Sequence, residues 1–247
     1  MMLQEVINKM VHYTDAFIDE IENTRNSILN LEIEEYPGNL VSGPFIIREK
    51  WENNKTINVF DVIGTAHPDY VGISWIQMLK MGKRMKTVNL PLLEQNPDYY
   101  FEEIQKDPPI EYTKINDKLY ISGDGNHRTS IAKILFYFLG RSELIGINYR
   151  EVEIDFEAME LVKYAQGLIA EKKLPLVVEV KRKPIKRKDG PGWSEDFFLL
   201  EFEIVNTRKF RKVQLDSDEF KQFVAEIRKV NFFKKFFKCG NVLKKIL

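Results

Sequence analysis

The sequence predicts a protein of the α+β class, and three observations carry that expectation. Residues 86–152 read as strand, helix, hairpin, helix and strand, which departs from the regular strand–helix alternation of a doubly wound sheet. Residues 3–30 place apolar side chains at three- and four-residue spacings, the mark of an amphipathic helix. The C-terminal third holds two strand-rich runs and then a helix. The expected organisation is an N-terminal helix-and-hairpin extension over 1–85, a compact central α+β core over 86–152, and a C-terminal β-hairpin and helix region over 153–247.

In chain order, Leu3, Val6, Ile7, Met10, Phe17, Ile21, Ile28 and Leu29 define the opening helix. A turn is expected at YPGN (36–39), and two strands around an Asn-Asn turn over 44–64. Residues 70–85 suit a short helix, and KTVNLPLL (86–93) suits a strand or extended segment ending at a proline. NPDYYFEEIQK (96–106) predicts a helix with Asn96 as cap, Pro97 in the first turn and Asp98 near the positive dipole end. PPIEYTKINDKLYISG (108–123) predicts a hairpin turning at Ile-Asn-Asp. NHRTSIAKILFYFLG (126–140) predicts a helix stopped by Gly140. A strand over 143–154 and a helix over 155–173 follow. Two further strand runs flank a basic, Gly-Pro-containing turn, and DSDE (216–219) reads as a capping box for a helix over 217–230.

Composition limits the function classes. The 247 residues are 44% hydrophobic and 30% charged, a globular balance. No apolar run approaches the roughly 20 residues of a membrane helix, and the start shows no signal-peptide pattern, so a cytoplasmic protein is expected. The single cysteine, Cys239, excludes an intrachain disulfide and a cysteine-based zinc cage. Basic and acidic residues balance at 37 each, but unevenly. KRKPIKRK (181–188) holds six basic residues in eight. Lys181, Arg182, Lys183, Lys186, Arg187 and Lys188, with Trp193 nearby for base stacking, are therefore candidate nucleic-acid contacts; a solvated loop with a hairpin plug fits the same residues. The tail motif NFFKKFF (231–237) suits a docked helix, a membrane surface or a partner contact. GTAHPDY (64–70) places His67 in a loop of ordinary composition.

The densest polar cluster is ISGDGNHRTSIAK (121–133), at a strand-to-helix corner. Gly123 and Gly125 let the backbone turn and approach a ligand closely. Free amides at a helix start, with the dipole behind them, favour an anion, and phosphate is the usual guest. Arg128 could clamp it, His127 could donate a hydrogen bond or carry a proton, and Asn126 and Thr129 could cap the helix or touch the ligand. Asp124 repels phosphate unless it holds a metal ion such as Mg²⁺, orients His127 or Arg128, or accepts a proton from a hydroxyl. A plain hairpin exit, with Asp124 and Asn126 as turn formers and Arg128 paired to a surface acid, suits the same residues.

The run from Asn96 to Gly140, and more broadly Val88 to Val152, resembles the core of the ParB/sulfiredoxin superfamily, which joins a strand pair to a helix through a Gly-x-His-Arg-type turn. The resemblance implies a ParB/sulfiredoxin-like mixed sheet with packed helices. Asn126 stands where sulfiredoxins carry their reactive cysteine, so repair of sulfinic acid through a thiol of this chain is not expected. The Gly-Glu-Arg-Arg turn of partition ParB proteins and their helix-turn-helix domain have no counterpart. Related Asp-Gly-x-His/Gln-Arg turns occur in ParB-like nucleases, NTPases, free-serine kinases and the DGQQR-bearing modules of DNA-modification-dependent restriction systems, and DGNHR (124–128) is closest to that last style. By that analogy Gly125, His127 and Arg128 touch phosphate, and Asp124 with His127 are the catalytic candidates. The implied function is nucleotide or nucleic-acid phosphate binding in a DNA-associated nuclease, NTPase or mobile-element regulator, with Mg²⁺ accompanying a nucleotide. The alternatives are a nucleotide-dependent small-molecule phosphotransferase and a non-catalytic binding module.

Overall fold

The computed structural model describes residues 1–25, 27–229 and 241–246, so the Phe/Lys stretch 231–237 and Cys239 lie outside the described residues. The chain forms two units: 1–38 with 50–152 and 189–194, and 39–49 with 153–188 and 195–247. One hydrophobic cluster in the first unit runs from Val6 to Tyr149, so the expected N-terminal extension and central core share a single interior.

The first unit opens with α1 (Leu3–His12) and α2 (Thr14–Glu22) rather than one helix over 3–30. Tyr13 leaves helical geometry at φ −128° and ψ 34°, and the Thr14 hydroxyl donates to the Met10 carbonyl at 2.8 Å. That side-chain bond competes with the helical ladder and breaks it, while Val6, Ile7, Met10, Phe17, Ile18 and Ile21 keep one buried stripe. The strands of the unit are β1 (Glu34–Glu35), β2 (Ile46–Asn58, from residue 50 on), β3 (Val62–Thr65), β4 (Glu111–Ile115), β5 (Lys118–Ile121) and β6 (Glu143–Ile154). Their order is β1–β3–β5–β4–β6–β2, with β3/β5 and β4/β6 parallel and β4/β5 antiparallel, so the sheet is mixed. Asn53 and Asn54 do not turn a hairpin. β2 runs through them as one strand, Asn54 at φ 55°, because the Asn53 amide finds the Gly192 carbonyl at 2.8 Å.

Between β3 and β4 the chain is helical where an extended segment is expected. α3 (Met78–Met81) is a single turn, residues Met85–Asn89 form a π-helical turn, and α4 (Leu90–Gln95) carries Pro91 in its first turn, where proline starts a helix rather than ending a strand. The helix expected over 96–106 is only a 3₁₀ turn at Pro97–Tyr100, and Asn96 makes no side-chain cap. Lys106, buried at 2% exposure, explains this: its ammonium takes the Tyr99 and Glu102 carbonyls at 2.6 and 2.9 Å, which a continuing helix would have used. The β4–β5 hairpin turns at Asn116, φ 49°, as the sequence predicts. The helix that follows, α5 (Asn126–Leu139), ends at left-handed Gly140, φ 64°.

In the second unit α6 (Phe156–Glu171) is capped by Asp155, whose carboxylate accepts the Ala158 amide at 2.8 Å. β7 (Leu176–Gly190) and β8 (Trp193–Asn206) form a long hairpin whose tip, 189–194, belongs to the first unit. The basic run 181–188 is therefore part of a strand, not a turn; the chain reverses at Pro191–Gly192. β9 (Arg211–Leu215) pairs antiparallel to β8, and α7 (Ser217–Lys229) and α8 (Asn241–Ile246) complete the unit. The capping box forms as expected: Asp216 accepts the Asp218 and Glu219 amides, and Glu219 accepts that of Asp216. Phe202 stacks on Phe220 at 4.3 Å at the centre of this core.

One core residue opposes its surroundings. Lys133 of α5 is 1% exposed, with its ammonium 4.4 Å from the Trp75 ring centroid and 5.7 Å from that of Phe60. Burial pushes its pKa down from 10.5 to about 7, against the pull of Asp61. Because the folded pKa lies below the unfolded one, the unfolded chain gains a proton first as pH falls from 10.5 toward 7, and stability is lost across that window. Lys133→Met is expected to raise the melting temperature by several degrees at pH 7 and to remove the gain that the parent shows on going to pH 10. Thermal denaturation across that range measures it.

Candidate phosphate site

The corner between β5 and α5 is built by close approaches that only glycine permits. A Cβ on Gly123 would lie 2.0 Å from the Glu111 carboxylate. One on Gly125 would lie 2.5 Å from Ile110, and its φ of 124° excludes most side chains in any case. Polar side chains then fix the first turn of α5 from inside. Thr129 is fully buried; its hydroxyl donates to the Gly125 carbonyl at 2.8 Å and meets the Tyr112 hydroxyl at 2.6 Å. Asn126, 8% exposed, accepts from the Thr65 hydroxyl at 2.5 Å. Ser130 donates to the Trp75 carbonyl at 2.8 Å. Asn126 and Thr129, candidate ligand contacts in the sequence, thus spend their side chains on packing the helix.

Arg128 is the clearest departure from a phosphate clamp. Its side chain is 12% exposed, and its guanidinium donates to Tyr99 Oη at 2.8 Å, to the Pro109 carbonyl at 3.0 Å and to the Pro108 carbonyl. It also pairs with Asp124 at 3.2 Å. These bonds tie the loop 97–109 to α5. The pair with Asp124 matches the plain-corner alternative, with loop carbonyls added to the expected acid. Asp124, two-thirds exposed, also accepts the Gly125 amide at 2.7 Å, which makes it a turn former as well as Arg128's partner.

What remains open is the backbone. The amides of Asn126, His127 and Arg128 have no acceptor among the described residues, and no side chain caps the helix. His127 stands beside them, half-buried, with Nε2 3.2 Å from the Tyr70 hydroxyl. Its ring fills the space over Gly82, where a Cβ would come within 2.7 Å of it. Burial lowers its pKa below 6.5, and His67, Arg84 and Arg128 push the same way against Asp124, so the imidazole is neutral at pH 7. Two carboxylates, Asp124 and Glu111, border the corner and weigh against a highly charged guest.

The structure brings in residues that sequence reasoning left out of the site. His67 stacks on Tyr70 at 4.4 Å, and its backbone amide bonds the same Thr65 hydroxyl that holds Asn126. Its buried Nδ1 has no hydrogen-bond partner. The GTAHPDY loop therefore forms one wall of the corner, although nothing in its sequence places it there. On the other side of Arg128, a cavity of 240 Å³ is lined by Leu92, Leu93, Asn96, Tyr99, Tyr100 and Asp107 among others. Among the described residues no group of three His, Cys, Asp or Glu side chains converges to hold a metal ion.

The basic candidates 181–188 belong to the second unit and are largely matched. Lys181 faces Glu203, Arg182 Glu49, Lys183 Glu201, Arg187 Asp196 and Lys188 Glu195, at 3.2–3.9 Å. Lys186 is exposed on the same strand. Trp193 packs over Gly190, where a Cβ would come within 2.2 Å of its indole, and Lys50 lies 6.0 Å above its ring.

No protein-family model, curated protein or solved structure matches the chain.

The geometry gives Arg128 a role in folding. Arg128→Ala is expected to lower stability by roughly 2–3 kcal/mol, because charge-assisted bonds are lost and two loop carbonyls lose their donor. Asp124→Asn keeps the turn and should cost far less. Urea unfolding of the two variants measures the difference.

Proposed function

We propose that the start of α5 binds the phosphate of a nucleotide or of a nucleic-acid end, with His127 as the proton-transfer group. The observation that carries this is the row of three unbonded amides beside a neutral imidazole. Amides at the head of a 14-residue helix attract an anion through their own partial charges and the helix dipole. A neutral imidazole can take a proton from an attacking water or hydroxyl at pH 7. The proposed class is a ParB-like nuclease or NTPase, consistent with the sequence resemblance. Mg²⁺ fits only loosely, since Asp124 is the one exposed carboxylate bonded into the turn itself. An ion there would rely on phosphate oxygens and water for most of its ligands. Arg128 and Asp124 act in this scheme by positioning the turn rather than by gripping phosphate.

A second reading, a non-catalytic module whose corner is structural, is favoured by one specific observation: the guanidinium of Arg128 is already committed to Tyr99, Pro108, Pro109 and Asp124. A thermal-shift screen of nucleoside triphosphates and short oligonucleotides, with and without Mg²⁺, separates the two. Under the first reading a phosphate ligand raises the melting temperature. His127→Gln then keeps that shift while any turnover falls by about 10²–10⁴. The parent should also lose stability as pH drops below 6.5, where the unfolded chain's histidine protonates before the buried one, and His127→Gln should lack that component. If no phosphate compound shifts the melting point, the corner is structural only.

A further inference from the structure

The strongest unassigned feature lies in the second unit, at the turn between β8 and β9. Phe210 is 87% exposed, more than any other large hydrophobic side chain among the described residues. Its backbone sits at φ 53°, a conformation that a bulky L-residue adopts only at a cost. The turn does not drift into this shape. Asn206, 2% exposed, accepts the Arg208 and Lys209 amides at 3.0 and 3.1 Å and donates to the Ile246 carbonyl at 3.1 Å. A buried carboxamide thus fastens the turn to the end of α8 and holds the ring out into solvent.

The surroundings of that ring are basic. Residues 204–215 contain Arg208, Lys209, Arg211 and Lys212 and no carboxylate. Lys212 is committed to Glu203 at 2.8 Å, whereas no carboxylate among the described residues pairs with Arg208 or Arg211. Exposed Lys244 and Lys245 stand in the last turn of α8, beside the carbonyl that Asn206 holds. The contrast with 181–188 is physical: there five of six cations have a carboxylate within 4 Å, whereas among the described residues Arg208 and Arg211 have none.

We propose that this turn is a contact for single-stranded nucleic acid, with a base stacked on Phe210 and flanking phosphates on Arg208, Arg211 and the α8 lysines. An isolated ring with a π-face accepts any base, and guanidinium groups beside it match phosphate oxygens. A bilayer would call for a broader apolar apex, whereas the neighbours of Phe210 are cations and a threonine. The proposal is independent of phosphate binding at α5, because it concerns residues of the other unit.

Fluorescence anisotropy with short labelled oligothymidylate and oligouridylate, run on the full chain across a salt series, tests it. Phe210→Gly is the informative variant, since glycine relieves the positive φ while removing the ring. It is expected to melt no lower than the parent yet to bind about tenfold more weakly. Phe210→Asn, which also tolerates this backbone, should behave alike. Arg208→Gln with Arg211→Gln should reduce the slope of log affinity against log salt by about 1.4, for two lost phosphate contacts. Parent-like binding by Phe210→Gly, or no oligonucleotide binding by the parent, overturns the proposal. So does retention on phosphatidylserine vesicles without oligonucleotide binding, which would make the turn a membrane contact.

Discussion

The burial of the first turn of α5 is the constraint from which the rest of the first unit follows. Asn126, Thr129 and Ser130 all point inward, and an inward hydroxyl or carboxamide without a partner costs more than its bond would return. Each therefore needs a specific acceptor or donor: Thr65, Tyr112 with the Gly125 carbonyl, and Trp75. Those partners come from β3, β4 and the loop before α3. Sliding or rotating the helix by one residue would break all three bonds at once. The register of α5 against the sheet is thus fixed by polar chemistry inside an otherwise apolar cluster, and His127 inherits its place from it.

Arg128 extends that rigidity outward. One guanidinium holds two consecutive carbonyls of an irregular loop and a tyrosine hydroxyl, so 101–109 needs no regular secondary structure of its own. Lys106 does the complementary work from within the loop. Burial raises the Tyr99 pKa, with Arg128 opposing, which keeps the phenol protonated and neutral beside the cation. The corner consequently separates into side chains that build it and a backbone edge, with His127, that is left available.

The elements legible in the sequence are those whose signals are local. The β4–β5 turn at Asn116, the stop at Gly140 and the capping box at Asp216 each rest on residues within four positions of one another. Where the deciding partner is remote, the sequence misleads. Asn53-Asn54 looks like a turn until Gly192 supplies a carbonyl, and 96–106 looks like a helix until Lys106 folds back onto it. The candidate site divides in the same way. Its glycines and the helix start are visible as spacing, whereas the partners that commit Arg128 and Thr129, and the approach of His67 through Tyr70, depend on tertiary packing.

The cations along β7 have a consequence for crowding in solution. Among the described strands β7 pairs with β8 alone, so its other edge presents unpaired amides and carbonyls to any passing chain. Long, exposed strand edges are templates for sheet-to-sheet aggregation, and lysine or arginine along them is the usual deterrent. Exposed Lys186 stands on this strand two residues from Pro184, which offers no donor to a ladder. The run that looks most like a polyanion grip thereby carries the features that make a strand edge a poor template for a second chain.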